Sequence, residues 1–223
     1  MDEYKKEFIS FMVRSGVLTF GNFTTKSGRK TPFFINTGNY DNGRQMSKLG
    51  RFYAETIQKN IPSMEIHLFG PAYKGIPLVV TTAISLCDHH DRNVSFSFNR
   101  KEIKDHGEGG GIVGYQFKAN DNVVIVEDVT TSGASIRETV PILRKMADIN
   151  LKALIVSVDR MEKGTGKISA LDEIRQEFGL EVYPIVTLEE IVEFLSKTPI
   201  DGKIVLTNDL LGAIKDYRQI YGA

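Results

Sequence analysis

The sequence predicts an α/β fold, with a mostly parallel central sheet flanked by helices and a small N-terminal hood that contains a hairpin. Three observations carry that expectation. Short apolar runs alternate with helical patterns through the middle of the chain, two β-prone stretches near the N-terminus flank a turn dipeptide, and one apolar run ends in acids followed by a hydroxyl-rich helix start. Alternation of this kind builds βαβ units, whose parallel strands need helical crossovers.

The elements follow in order. Tyr4, Phe8, Phe11 and Met12 recur at helical spacing and Gly16 stands where a helix would stop, so residues 1–15 read as an amphipathic helix. Ser27-Gly28 lies between Phe23-Thr24-Thr25 and the stretch Thr31-Pro32-Phe33-Phe34-Ile35, the pattern of two strands joined by a tight turn. Leu49, Phe52, Tyr53 and Ile57 give a helix over residues 47–59. Then come an apolar run at 66–69, a helix over about 76–87, a run at 94–98, a run at 123–126 leading into a helix from about Ala134, and a run at 151–158. A glycine-bearing loop at 163–167 precedes a helix to about Phe178 and a strand at 182–186. Thr187 and Glu190 have capping-box spacing and start a helix through Leu195. Beyond it the pattern gives no clear element.

Composition narrows the class. A chain of 223 residues with 41% hydrophobic and 25% charged residues can bury a sizeable core without staples, and no apolar run reaches the length of a membrane span. The polar start of the chain lacks a signal peptide's apolar core, so the expected location is the cytoplasm. Zero formal net charge argues against a nucleic-acid partner, and the single cysteine, Cys87, excludes an intrachain disulfide. With Ile84 and Leu86 beside it, Cys87 reads as a buried small apolar residue.

The most informative segment is Val123-Val124-Ile125-Val126-Glu127-Asp128-Val129-Thr130-Thr131-Ser132-Gly133-Ala134-Ser135. A buried strand ends in two carboxylates, and a run of small hydroxyl residues and glycine then opens a helix. Unpaired N–H groups and the helix dipole favour an anion at such a start, and the hydroxyls add donors, which suits a phosphate monoester. The acids would repel that phosphate and suit sugar hydroxyls instead. The plain alternative is a strand followed by an ordinary N-capped helix. Neither the Walker A lysine nor the three spaced glycines of dinucleotide sites are present.

With these residues in view, the segment resembles the phosphoribosyl-diphosphate signature of the type I phosphoribosyltransferases. The resemblance implies that fold, with Glu127 and Asp128 on the ribose 2- and 3-hydroxyls and Val129, Thr130, Thr131, Ser132, Gly133, Ala134 and Ser135 around the 5-phosphate. A second segment, Arg100-Lys101-Glu102-Ile103-Lys104-Asp105-His106-Gly107, followed by glycines at 109–111, could be a solvated turn whose acids balance its bases. It also resembles the catalytic loop of the orotate-using branch of that family. The resemblance then implies phosphoribosyl-diphosphate contacts from Arg100, Lys101, Lys104 and His106, with the loop shared across a homodimer. Catalytic roles fall to Lys101, Lys104, His106 and Asp128.

Three more segments join by the same resemblance. Gly70-Pro71-Ala72-Tyr73-Lys74-Gly75 reads as a turn, and the family pattern puts Tyr73 and Lys74 on phosphoribosyl diphosphate. Lys26 joins them from the hairpin, which otherwise reads only as a charged turn and a half-buried strand. Phe33 and Phe34 would flank orotate, whose flat ring suits aromatic faces. Arg160, at the end of the 151–158 strand, is by itself a surface residue or structural ion pair, and the resemblance makes it and Thr131 the orotate contacts. A guanidinium fork matches the carboxylate that separates orotate from uracil. Mg²⁺ is the implied cofactor, held by substrate oxygens and water rather than by protein ligands. The whole chain, 1–223, would be one domain, with 1–40 supplying much of the base-binding hood. The competing readings are a non-catalytic phosphoribosyl-diphosphate sensor and a transferase for another base.

Overall fold

The structure is a computed structural model that describes residues 1–25, 28–101, 111–130 and 132–223. Helix α1 (Glu3–Arg14) buries Phe8, Ile9, Phe11 and Met12, the stripe its spacing predicts. Strands β1 (Leu18–Thr24) and β2 (Lys30–Ile35) pair antiparallel as a separate two-stranded sheet. Such a ribbon is marginal alone in water. Here Leu18 and Phe33 anchor it in the core that α1 also enters. Helix α2 (Gly43–Asn60) starts earlier than its apolar spacing suggests, because the Asn42 side chain caps it by accepting from the Gln45 N–H.

Strands β3 (His67–Gly70) and β4 (Ser95–Asn99) flank helix α3 (Gly75–His90), and β5 (Ile112–Gly114) turns back antiparallel to β4. Strand β6 (Asn122–Glu127), helix α4 (Ala134–Met146), strand β7 (Asn150–Asp159), helix α5 (Ala170–Phe178) and strand β8 (Glu181–Thr187) extend the sheet, and α6 (Leu188–Lys197) follows. The order is β5-β4-β3-β6-β7-β8, parallel from β4 to β8. Val123 to Val126 on β6 are all fully buried. Val124 and Val126 enter one core with α1 and α2, while Val123 and Ile125 enter the other with α4 and α5. This two-sided burial is what a continuous apolar run in a parallel sheet requires.

From β3 the chain steps to β4 on one side, and from β6 it steps to β7 on the other. The crevice beyond the carboxyl ends of β3 and β6 is therefore the topological switch point, where sheets of this kind hold ligands. No described helix is long and apolar enough to cross a membrane.

Two further features depart from the sequence reading. Cys87 is exposed, not buried, because Leu86 takes the core-facing position and the helical turn carries Cys87 outward with Ile84, itself 54% exposed. The unread C-terminal stretch forms helix α7 (Asn208–Tyr221), capped by Thr207 and burying Ile214 and Tyr217. The ring of Tyr217 meets Phe33 edge-on, with centroids 5.7 Å apart.

Candidate active site

The crevice encloses about 250 Å³, and its lining includes Tyr73, Lys74, Lys101, Glu127, Asp128 and Ser135. On the β3 side a Cβ at Gly70 would lie 2.1 Å from the Gly75 carbonyl oxygen, so strand end and helix start can meet this closely only with glycine. The Ala72 N–H donates to Asn99 Oδ1 at 2.8 Å, tying the turn to the end of β4. From this turn Lys74, with its side chain 60% exposed, reaches across the crevice. Its Nζ donates to Asp128 Oδ2 and to Thr37 Oγ1, both at 2.9 Å, and the Thr37 hydroxyl donates to the same Asp128 oxygen at 2.6 Å.

The two acids of β6 differ in environment. Glu127 is 6% exposed, and its carboxylate accepts from the Asp128 N–H at 2.9 Å and from the Ser135 hydroxyl. Burial pushes the Glu127 carboxyl up to about 7, against the opposing pull of the Ser135 hydrogen bond. Burial also raises Asp128, but donors from Thr37, the Val129 N–H and the Lys74 ammonium together outweigh it and hold this carboxyl below its ordinary value. Near neutral pH the pair is thus one firmly ionised carboxylate beside one close to its midpoint. Their backbone is fixed from behind. Tyr53 donates its hydroxyl to the Glu127 carbonyl at 2.7 Å, and the Ser157 N–H and hydroxyl donate to the Asp128 carbonyl at 2.8 and 2.7 Å.

After Asp128 the chain turns into α4. The Gly133 N–H donates to Thr130 Oγ1 at 2.9 Å, and Gly133 holds φ at 75°, where a side chain would be strained and would press on Ile174. Gly133 has no side chain to cap α4, which, among the described residues, leaves first-turn N–H groups for an outside acceptor. Arg137 braces the turn from outside, donating to the Ser132 carbonyl while pairing with Glu173 at 3.0 Å and Glu177 at 2.7 Å.

The basic segment leaves the sheet at the same edge. The Arg100 N–H donates to the Gly111 carbonyl at 2.8 Å, extending the β4–β5 ladder to either side of residues 102–110. Lys101 Nζ lies 5.4 Å from the centroid of the Tyr73 ring. Lys26, Lys104, His106 and Thr131 lie outside the described residues.

A second cluster forms where β7 ends. Arg160 is 7% exposed and its guanidinium sits 4.5 Å from the centroid of Phe33, which is fully buried. Arg160 donates to Glu162 Oε1 through Nε at 3.0 Å and Nη2 at 2.6 Å. Phe34 behaves differently from Phe33: it is 40% exposed and packs against Phe23 at 5.7 Å. The fold thus gathers Tyr73, Lys74, Lys101, Glu127, Asp128, Val129 and Ser135 around one crevice, with Arg160 and Phe33 in a cluster at the neighbouring strand end. The sequence reading gives Thr37, Tyr53, Ser157 and Glu162 no place in the site, since a lone hydroxyl or acid outside a motif carries no local signal.

Similarity to known proteins points to one family. A family model described as the phosphoribosyl transferase domain matches residues 36–178. The orotate phosphoribosyltransferase of Clostridium beijerinckii is 56% identical over 223 residues, covering all of both chains. That of Clostridium acetobutylicum is 51% identical over 222 residues, covering 100% of this chain and 99% of its own. Among solved structures, the orotate phosphoribosyltransferase of Francisella tularensis superposes with a TM-score of 0.84 at 34% identity, covering 97% of this chain and 100% of that one.

Proposed function

Because the chain belongs to the orotate phosphoribosyltransferases, the glycosyltransferases of de novo pyrimidine synthesis that join orotate to the ribose 5-phosphate of phosphoribosyl diphosphate and release diphosphate, we propose the following roles for its residues. The observation that carries the assignment is the Lys74–Asp128 pair, which spans the switch-point crevice at the foot of an uncapped helix. Glu127 and Asp128 take the ribose 2- and 3-hydroxyls, and residues 129–135 with the α4 N-terminus take the 5-phosphate. Lys74, exposed enough to leave Asp128, turns to the diphosphate with Tyr73, Lys26 and Arg100. Lys104 and His106 close over the leaving group from the neighbouring subunit of a homodimer and exclude water, while Lys101, beside Tyr73, meets it from the crevice that it lines.

On the base side, Phe34 offers an open ring face to orotate, and Arg160, carried on the Phe33 ring, reads its carboxylate together with Thr131. A ring nitrogen of orotate displaces diphosphate at the anomeric carbon, so the protein supplies positioning and charge neutralisation rather than a nucleophile. The hard oxygen donors of the crevice, carboxylates and hydroxyls, suit Mg²⁺ carried on substrate oxygens and water. When bound, the ion neutralises diphosphate charge. The enzyme works in the cytoplasm.

The testing experiment measures diphosphate release with orotate, uracil, hypoxanthine or no base, each with and without Mg²⁺. Release with orotate alone, dependent on Mg²⁺, is the expected outcome. Equal release with uracil would remove the carboxylate-reading role, and release unaffected by chelation would remove the metal.

A further inference from the structure

Glu162 is the centre of a buried polar cluster that joins three distant parts of the chain. It is 4% exposed. One oxygen, Oε1, takes both Arg160 donors and the hydroxyl of Tyr217 at 2.7 Å, while Oε2 takes Arg29 Nη2 at 2.8 Å. Arg29 belongs to the hairpin turn, Arg160 to the end of β7 and Tyr217 to α7. The Arg29 guanidinium also lies over the rings of Tyr217 and Tyr221, 5.7 and 4.9 Å from their centroids. Backbone bonds close the assembly, from the Lys163 N–H to the Tyr221 carbonyl at 2.9 Å and from the Ala223 N–H to the Met161 carbonyl at 3.0 Å.

Taking Arg160 and Glu162 out of water, with Arg29 only partly exposed beside them, is costly, and apolar residues would join a hairpin to a helix at least as firmly. What the charged cluster adds is orientation. A guanidinium free to rotate in its pocket would meet an incoming carboxylate in many poses. Here Nε and Nη2 are both committed to one oxygen and the plane rests on Phe33, so the direction of the remaining Nη1 edge is set.

We propose that Glu162 and Tyr217 are positioning residues for base selection, holding Arg160 in the orientation that meets the orotate carboxylate although neither touches substrate. The C-terminal helix thereby sets specificity at a site it does not line. The inference rests on the reading that Arg160 meets that carboxylate.

The test compares calorimetric binding of orotidine 5'-phosphate and uridine 5'-phosphate, which differ only in the carboxylate, across wild type, Arg160→Ala, Glu162→Gln and Tyr217→Phe. The orotidine-over-uridine preference should fall about tenfold in Glu162→Gln and about threefold in Tyr217→Phe, the scale of weakening or losing a hydrogen bond to a charged group. Uridine 5'-phosphate affinity should stay unchanged. Should Glu162→Gln fail to fold, Tyr217→Phe, which removes a single hydroxyl, decides alone. Equal weakening for both nucleotides, or an unchanged preference, overturns the proposal. If Arg160→Ala loses the preference while the other two keep it, only the positioning role fails. If Arg160→Ala keeps it, the carboxylate reading itself is wrong.

Discussion

Asp128 and Glu127 are adjacent in sequence yet titrate in opposite directions, and the difference lies in who donates to each. Asp128 receives the Lys74 ammonium and the Thr37 hydroxyl, whereas Glu127 is more deeply buried and receives a serine and an amide. Asp128→Asn keeps the shape and removes the charge, so phosphoribosyl-diphosphate affinity should fall about tenfold or more, as for a lost hydrogen bond to a charged group. Calorimetry on a variant whose circular dichroism matches wild type checks this, and unchanged affinity would take Asp128 out of the site. Glu127 makes a separate prediction about pH. Its folded carboxyl stands at about 7 against an ordinary value of 4.5, so the folded state favours the proton. Its contribution is fully present below pH 4.5 and is lost as pH rises to about 7, a span worth up to about 3 kcal/mol. Denaturant melts of wild type should therefore lose stability across that window relative to Glu127→Gln. Parallel curves would show that the carboxyl is not raised.

Among the secondary-structure elements, those that rest on consecutive residues were legible and those that rest on distant ones were not. The apolar run of β6, its acids and the hydroxyl-glycine turn are one continuous segment, so both the strand and the start of α4 were legible locally. The Thr187–Glu190 capping box was equally local, and both of its bonds form, at 3.2 and 2.9 Å. Thr187→Ala should cost about 1 kcal/mol of stability, the usual worth of an N-cap, without changing activity at temperatures where the protein stays folded. A change below a few tenths of a kcal/mol in chemical melts would mean that β8 holds α6 by itself. Helix α7 carries a readable spacing in Leu210, Ile214, Tyr217 and Tyr221, but Gly212 in its middle lowers helix propensity and masks the signal. Strand β5 has only three residues and depends on β4 for its existence. The Glu162 cluster was least legible, since two of its partners, Arg29 and Tyr217, are 133 and 55 residues away in the chain and no local pattern can join them. Arg160 was singled out by the family resemblance, whereas Glu162, two residues on, carried no local signal for the pair that they form.

In the whole molecule, the described crevice presents Lys74, Lys101 and Tyr73 on the side proposed for diphosphate, and of the other expected cations Lys26 belongs to the hairpin while Arg100, Lys104 and His106 belong to the segment between β4 and β5. If that segment serves the neighbouring subunit, neither protomer is complete alone, and the arrangement can be tested by mixing two inactive proteins. Lys104→Ala removes a loop cation but keeps an intact cradle, whereas Asp128→Asn keeps the loop and damages the cradle. In a mixed dimer the intact cradle of the first chain meets the intact loop of the second, giving one working site. Random exchange in a two-fold dimer places about half the dimers in the mixed state, each with one of two sites working, so roughly a quarter of wild-type activity should return. Mass spectrometry of differently tagged chains verifies the exchange independently. A loop acting on its own subunit would leave every site of the mixed dimer with one defect. Verified heterodimers no more active than their parents would therefore assign the loop to its own crevice.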